Sequence, residues 1–207
     1  MIVKKLVQFS AAQGPLECSL AVEKAVQHFI GQLENRRVVY ELLEKIEDKI
    51  GLKSLLLSLE LNGDDPLIST WEGTHQWIWQ SRIRPKYPRK NWFFGVAFFD
   101  YPKEIPDGEI YYKAISASGP GGQHVNKTAS AIQATHLATG IAVKVQTERS
   151  QHANKRLAQL LIQQKLAEIS DQSLNDCQKE RRLKHHQLVR GKPQQIFEGD
   201  SFKLRND

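Results

Sequence analysis

The stretch from Ser118 to Lys155 reads SGPGGQHVNKTASAIQATHLATGIAVKVQTERSQHANK and combines three local patterns. A glycine-rich loop opens it, and two apolar arms at about 129–137 and 141–147 then flank Thr139-Gly140, which is typical of a hairpin. A long helix is expected from about Ser150, because serine is a favourable residue just before the first helical turn. Strands, a hairpin and a helix in this order predict an α+β domain.

The first half of the chain predicts another α+β domain, an antiparallel sheet with helix packed on one face. Apolar residues at helical spacing from Leu20 to Leu33 predict a helix after Pro15, and a second periodic set predicts helix from Val38 to Ile50, ending at Gly51. We interpret alternating aromatic residues as core, namely Trp77, Trp79, Trp92, Phe94 and Phe98. Strands are expected at 2–9, 54–61, 67–71, 75–81, 91–100 and 110–115.

Turn-rich residues at 101–109 predict a boundary between the two domains. We therefore expect one domain at 1–104, a second at 105–190, and a polar, irregular C-terminal tail at 191–207.

The excess positive charge lies around the glycine loop. The chain has a net charge of +6, and residues 113–165 hold seven basic residues against one acid, Glu148, while the rest holds 22 of each sign. A local basic excess favours a polyanionic partner, although a solvated surface patch would look the same. Two distant cysteines, Cys18 and Cys177, indicate neither a disulfide framework nor a metal site, and no cofactor is expected. A reducing cytoplasm and no membrane association are predicted.

The glycine loop itself allows three interpretations. It could be a surface turn, or a phosphate-binding loop, although its spacing fits neither GxGxxG nor GxxxxGK[ST]. In the third, Gly121 and Gly122 remove the side chains that would keep main-chain N–H groups away from a ligand. The neutral amide of Gln123 cannot act as a base but can orient a water. Such a loop could stabilise an oxyanion during ester hydrolysis if another body supplied the substrate and most of the cavity.

The whole 118–155 stretch resembles the catalytic domain of class I peptide chain release factors. The residues that carry the resemblance are Gly-Gly-Gln followed by His-Val-Asn, a Thr-His-x-x-Thr-Gly hairpin, and Glu-Arg-Ser-Gln-His-x-Asn-Lys. The resemblance implies that Gly121, Gly122 and Gln123 are catalytic, entering the ribosomal peptidyl transferase centre to trigger hydrolysis of peptidyl-tRNA. The ribosome would be the greater part of the enzyme. Methylation of Gln123, known in the wider family, is left open.

Basic and polar residues near the loop match the face that the family turns toward ribosomal RNA. Cations there would neutralise phosphates, although an exposed helix with ordinary charges would carry them too. The residues in question are Lys127, Arg149, Gln151, Lys155 and Arg156.

The resemblance extends upstream to the domain that reads the stop codon. Full-length members begin with a separate helical domain, whereas in this chain the similarity to the codon-reading domain begins almost at the first residue. The expected codon-reading tripeptide is replaced by RIRPKYPRK at 82–90, with five cations, no acid, and Tyr87 between two prolines. Such a loop suits phosphate contacts and stacking of one base more than discrimination between bases, unless it is only a solvated hairpin tip. The predicted RNA-binding cations are Arg82, Arg84, Lys86, Arg89 and Lys90.

With its altered loop, the chain is similar to the peptide chain release factor H group. This resemblance implies a factor specialised for stalled ribosomes or ribosomes damaged in the decoding centre, with an RNA-repair ligase as a functional companion. Two alternatives stay open. One is stop-codon-dependent termination by a truncated factor, and the other is a non-catalytic module that binds ribosomal RNA.

Overall fold

The structure, a computed structural model, describes residues 2–63, 65–102, 104–115, 131–148, 150–186, 188 and 191–205. Its helices and strands confirm the predicted α+β class. The chain divides into two compact units, one formed by Met1–Tyr101 with Cys177–Asp207 and the other by Pro102–Asp176. The predicted domains placed 177–190 with the second half of the chain, whereas this division places them with the first.

The first unit is built on a seven-stranded sheet with strand order β10-β9-β4-β5-β1-β3-β2. All neighbouring strands are antiparallel except β4 and β9, which are parallel. Its elements are β1 (Ile2–Ser10), α1 (Leu16–Asn35), β2 (Val39–Glu47), β3 (Leu52–Asn62), α2 (Pro66–Trp71), β4 (Gly73–Ile78), β5 (Asn91–Asp100), β9 (Ile196–Glu198) and β10 (Lys203–Leu204).

The core of this unit lies between α1 and one face of the sheet. Helix α1 buries one stripe, including Val22, Val26 and Phe29, because residues three and four apart share a helix face. In β3 the odd-numbered leucines from Leu55 to Leu61 belong to this core, while Leu56 lies in a small cluster with Leu6 and Phe99. The five aromatic residues predicted as core are all buried: Trp77, Trp79, Trp92, Phe94 and Phe98.

Two predicted elements of the first half are wrong. Residues 38–50 were expected to be helical, yet most of them form the edge strand β2. Its side chains are mostly exposed, so the helix-like spacing of its apolar residues does not correspond to a buried face. Gly51 ends no helix but lies in the β2–β3 turn with φ +78°, which favours glycine. Residues 67–71 were expected to be a strand but belong to α2. There the Asp65 carboxylate accepts the Leu67 N–H at 2.9 Å, and Pro66 occupies the first turn.

The prediction of an irregular tail from Gly191 is also wrong. Strand β9 pairs with both β4 and β10, and Phe197 and Phe202 are buried in the core. Strands of three and two residues are too short to show a periodic pattern, which is why composition alone suggested a tail.

The second unit holds a three-stranded antiparallel sheet of β6 (Ile110–Ile115), β7 (Ala131–His136) and β8 (Ala142–Val145). Helix α3 (Gln151–His186) contributes its residues up to Asp176 to this unit. Ala158 and Ile162 form a core with apolar residues of β7 and β8, against which Leu157 and Leu161 pack. Leu160 and Ile169 of the same helix are 62% and 48% exposed.

Candidate functional site

The glycine loop lies outside the described residues, as do Gly121, Gly122, Gln123, Lys127 and Arg149. The structure describes the strands on either side of the loop. Strand β6 ends at Ile115 and β7 begins at Ala131, and these two residues are directly paired across the antiparallel ladder. The loop therefore starts and ends at neighbouring positions of one sheet.

The Thr-His-x-x-Thr-Gly motif forms the turn between β7 and β8. The Nδ1 atom of buried His136 lies 2.8 Å from the Thr139 hydroxyl, and the Gly140 N–H donates to the His136 carbonyl at 2.8 Å. Gly140 has φ +72°, a conformation that glycine adopts without strain. These contacts give the motif a structural role in the hairpin.

Asn154 of the Glu-Arg-Ser-Gln-His-x-Asn-Lys motif is fully buried and binds the backbone that precedes the helix. Its Oδ1 accepts the Glu148 N–H at 2.9 Å, and its Nδ2 donates to the Glu148 carbonyl at 2.8 Å. The paired bonds fasten residue 148 to the first turns of α3. The predicted start of α3 after Ser150 is confirmed.

Three predicted RNA-binding residues lie on the first turns of α3, and all are exposed: Gln151, Lys155 and Arg156. Gln151 and Lys155 are four residues apart and share a helix face. The Lys155 ammonium lies 4.6 Å from the ring centroid of Tyr112 in β6. This surface of the second unit presents positive charge beside the hairpin sheet.

The basic loop, residues 82–90, connects β4 to β5 in the first unit. Arg84 donates from Nε to Glu17 Oε1 at 2.8 Å and from Nη2 to Glu17 Oε2 at 2.6 Å. Glu17, in the first turn of α1, is 0% exposed and also accepts from the Ser81 hydroxyl at 2.8 Å. Burial alone would raise the pKa of Glu17, but hydrogen bonds from Arg84, its own amide and Ser81, with the charge of Arg84, lower the pKa below its ordinary value.

A second acid binds the start of the loop. Asp200, between β9 and β10, accepts the Trp79 indole N–H at 2.6 Å and a guanidinium N–H of Arg82 at 2.5 Å. The hydrogen bond from Trp79, followed by that from Arg82, lowers the pKa of Asp200. An open cleft of about 540 Å³ lies here, lined partly by Trp79, Arg82, Lys90 and Asp200.

The five cations of the basic loop are thus not equivalent. Arg82 and Arg84 are ion-paired, and Arg89 donates from Nε to the Asn91 carbonyl at 2.9 Å with its guanidinium 5.0 Å from the Trp92 ring centroid. Lys86 and Lys90 are exposed and make no ion pair with any residue that the structure describes. Reasoning from the sequence missed Glu17 and Asp200, since each lies far along the chain from the loop and no local pattern marks either of them.

No group of three or more His, Cys, Asp or Glu side chains among the described residues is arranged to hold a metal ion. None of the helices within the described ranges is long and apolar enough to cross a membrane.

Comparison with known proteins shows that the sequence of this chain is similar to peptide chain release factors. Residues 100–205 match the family model described as the RF-1 domain. A peptide chain release factor homolog of Escherichia coli is 47% identical over 199 residues, which cover 95% of this chain and 98% of that protein. Peptide chain release factor 2 of Bordetella avium is 30% identical over 182 residues, covering 78% of this chain and 49% of that protein. The chain thus spans about half the length of that factor.

Among solved structures, RF2 of Thermus thermophilus aligns with 99% of this chain and 60% of its own, with a TM-score of 0.49 and 23% identity.

Proposed function

The chain belongs to the class I peptide chain release factor superfamily, and from this premise we propose that it triggers hydrolysis of peptidyl-tRNA on the ribosome through Gly121, Gly122 and Gln123. The observation that carries the proposal is the position of Gly-Gly-Gln inside the region 100–205 that matches the RF-1 domain. The 47% identity with the Escherichia coli homolog supports placement in the release factor H group.

The proposed chemistry uses the main chain more than side chains. The Gln123 N–H donates to the oxyanion that develops at the ester carbonyl, and the neutral Gln123 amide admits a water while excluding larger nucleophiles. Gly121 and Gly122 let the backbone approach the ester without a Cβ in the way. The paired strand ends support this picture, because Ile115 and Ala131 hold the two ends of the segment 116–130 at neighbouring positions of one sheet.

The ribosome supplies the rest of the site. The protein acts only within the ribosomal active centre, where the peptidyl transferase centre holds the peptidyl-tRNA and its RNA forms the cavity. Gln151, Lys155 and Arg156, exposed on α3, contribute phosphate contacts beside the loop, together with Lys127 and Arg149.

The first unit docks at the decoding centre of the small subunit and is specialised for ribosomes that are stalled or damaged there. The basic loop supports this part of the proposal, because it contains cations and no acid in place of a codon-reading tripeptide. Cations recognise a backbone through its phosphates without reading the sequence of its bases. An RNA-repair ligase would be a sensible companion, since the broken RNA needs rejoining after the peptide is released. A protein with these proposed activities would work in the cytoplasm, where the ribosomes are.

One assay tests the proposal against its rivals. Purified protein is added to ribosomes that hold labelled peptidyl-tRNA, with a stop codon, a sense codon, or cleaved decoding-centre RNA in the small subunit. Release confined to the cleaved ribosomes supports the specialised function. Release only at stop codons would show ordinary termination, and binding without release on any of the three would show a non-catalytic module.

A further inference from the structure

We propose that the Glu17–Arg84 ion pair holds the basic loop in one conformation so that Tyr87, flanked by Lys86 and Lys90, contacts a single-stranded segment of RNA. In this arrangement Arg84 is a positioning residue and not a phosphate ligand. The inference rests on the proposed function only in taking ribosomal RNA as the partner of this loop.

The first step is the geometry of the Arg84 guanidinium. One of the two edges through which arginine can bind an oxyanion with a pair of hydrogen bonds, that of Nε and Nη2, is bonded to the Glu17 carboxylate. Glu17 is fully buried, so loss of Arg84 would leave a buried negative charge uncompensated. The Nε–Nη2 edge of Arg84 is therefore committed to the protein.

The second step is the path from this ion pair to Tyr87. Ser81, which donates to Glu17, also accepts the Arg84 N–H at 3.1 Å, so the carboxylate fixes both the backbone and the side chain of Arg84. The Tyr87 N–H donates to the Arg84 carbonyl at 2.9 Å, closing a turn over 84–87. The Arg84 guanidinium lies 4.4 Å from the Tyr87 ring centroid. Gln80 adds bonds to the Pro85 and Tyr87 carbonyls at 3.2 and 3.3 Å.

The third step is what this turn displays. The Tyr87 side chain is aromatic, yet 40% of the residue is exposed to solvent. Lys86 directly precedes Tyr87, Lys90 follows three residues later, and both lysines are exposed. An aromatic ring beside cations is the arrangement that binds single-stranded nucleic acid, since bases stack on the ring and phosphates meet the charges. A competing explanation is that Tyr87 merely covers Trp92, whose ring centroid lies 6.3 Å away.

A change of sign separates the positioning role from simple electrostatics. Removing an acid should strengthen binding to a polyanion, whereas loss of the ion pair should weaken it. We expect Glu17→Gln to weaken binding to 70S ribosomes by about fivefold to tenfold. Without the ion pair, the loop side chains become ordered only on binding, and the entropy that they then lose reduces the affinity. Glu23→Gln, on the same helix, is the matched control, since it removes an equal charge and Glu23 makes no hydrogen bond or ion pair with the described loop residues.

Three more variants test the assigned roles. Arg84→Lys keeps the charge but loses the two-pronged geometry toward Glu17, so it should weaken binding as Glu17→Gln does. Tyr87→Leu should lose between about 5-fold and 100-fold in affinity, and Tyr87→Phe should retain it. Because the Tyr87 ring lies near buried Trp92, the thermal midpoints of these two variants are measured as a check on the fold.

The measurement is equilibrium binding of fluorescently labelled protein to 70S ribosomes with cleaved decoding-centre RNA, well below the thermal midpoint of each variant. Tighter binding by Glu17→Gln than by Glu23→Gln, or wild-type affinity of Tyr87→Leu, would overturn the inference. Peptide release is measured separately with the same ribosomes. A protein that binds as expected but releases no peptide would refute the proposed function while leaving this inference standing.

Discussion

The rings of Phe197 and Phe202 stack with centroids 4.2 Å apart and planes 13° from parallel, and both side chains are buried. Phe197 lies in β9 and Phe202 in the turn before β10. Both belong to the same hydrophobic core as Val7 and Phe9 of β1, so the two ends of the described chain share one core. The Trp77 indole N–H donates to the Gly199 carbonyl at 2.9 Å in the same turn. The segment that supplies Asp200 to the basic loop is thus part of the folded core.

Phe197→Ala should lower the free energy of unfolding by about 3–5 kcal/mol, the usual cost of truncating a buried phenylalanine. Urea denaturation monitored by tryptophan fluorescence measures the change. The matched control is Leu204→Ala in β10, where 39% of the residue is exposed and a change within about 0.5 kcal/mol is expected. Equal effects of the two substitutions would mean that this segment does not belong to the core.

Asn154→Ala should destabilise the second unit, because both polar backbone groups of Glu148 lose their buried partner. A typical hydrogen bond contributes about 0.5–1.5 kcal/mol, so the variant should unfold at lower temperature in a calorimetric scan. His152→Ala, two residues earlier and exposed, is the control and should leave the transition nearly unchanged. A variant Asn154→Ala as stable as the control would contradict the role assigned to these two hydrogen bonds.

The elements that could be predicted from the sequence are the long ones that are buried on one side. Helix α1 and strands β3 and β5 follow from the spacing of their apolar residues, because burial on one face imposes that spacing. Strand β2 could not be predicted in this way, because it is an exposed edge strand and neither of its faces is buried. Strand β9 has three residues and takes its stability from pairing with β4, which lies more than a hundred residues earlier.

The site shows the same limit. The five cations of the basic loop are evident in the sequence, but their pairing depends on Glu17 and Asp200, which only the folded chain brings near. A charge count within nine residues therefore overstates the positive surface that the loop offers. Conversely, Asn154 and His136 belong to motifs that suggested chemistry, and both turn out to make structural hydrogen bonds.

His75 should make the first unit less stable in mild acid. The ring is buried, stacked on Phe94, with Nε2 2.9 Å from the Trp71 carbonyl, and burial lowers its pKa from 6.5 to about 4. Between these two values the unfolded chain takes up a proton that the folded chain refuses, so stability falls as pH decreases from about 6.5 toward 4. At pH 5 this linkage costs about 2 kcal/mol relative to pH 7.

Urea titrations at pH 7 and pH 5 measure this loss, and His75→Gln, whose amide can still donate to Trp71, should lose less stability between the two conditions. The proton resonances of the His75 ring give a direct check, because they should not titrate near pH 6.5. A midpoint at the ordinary value would show that the ring is accessible to water in the folded state.

Gly122→Ala should damage peptide release at least as severely as Gln123→Ala. Under the proposed mechanism the Gln123 main-chain N–H stabilises the oxyanion, and losing one such donor typically slows a reaction by about 10²- to 10³-fold. A Cβ at residue 122 disturbs that donor, whereas alanine at residue 123 retains the backbone N–H and removes only the side chain that selects water.

Single-turnover release from ribosomes saturated with protein isolates the chemical step. Binding of each variant to the same ribosomes is the control, and it should equal that of the wild type because the basic contacts are unchanged. Wild-type release by Gly122→Ala would refute catalysis by the main chain at this loop.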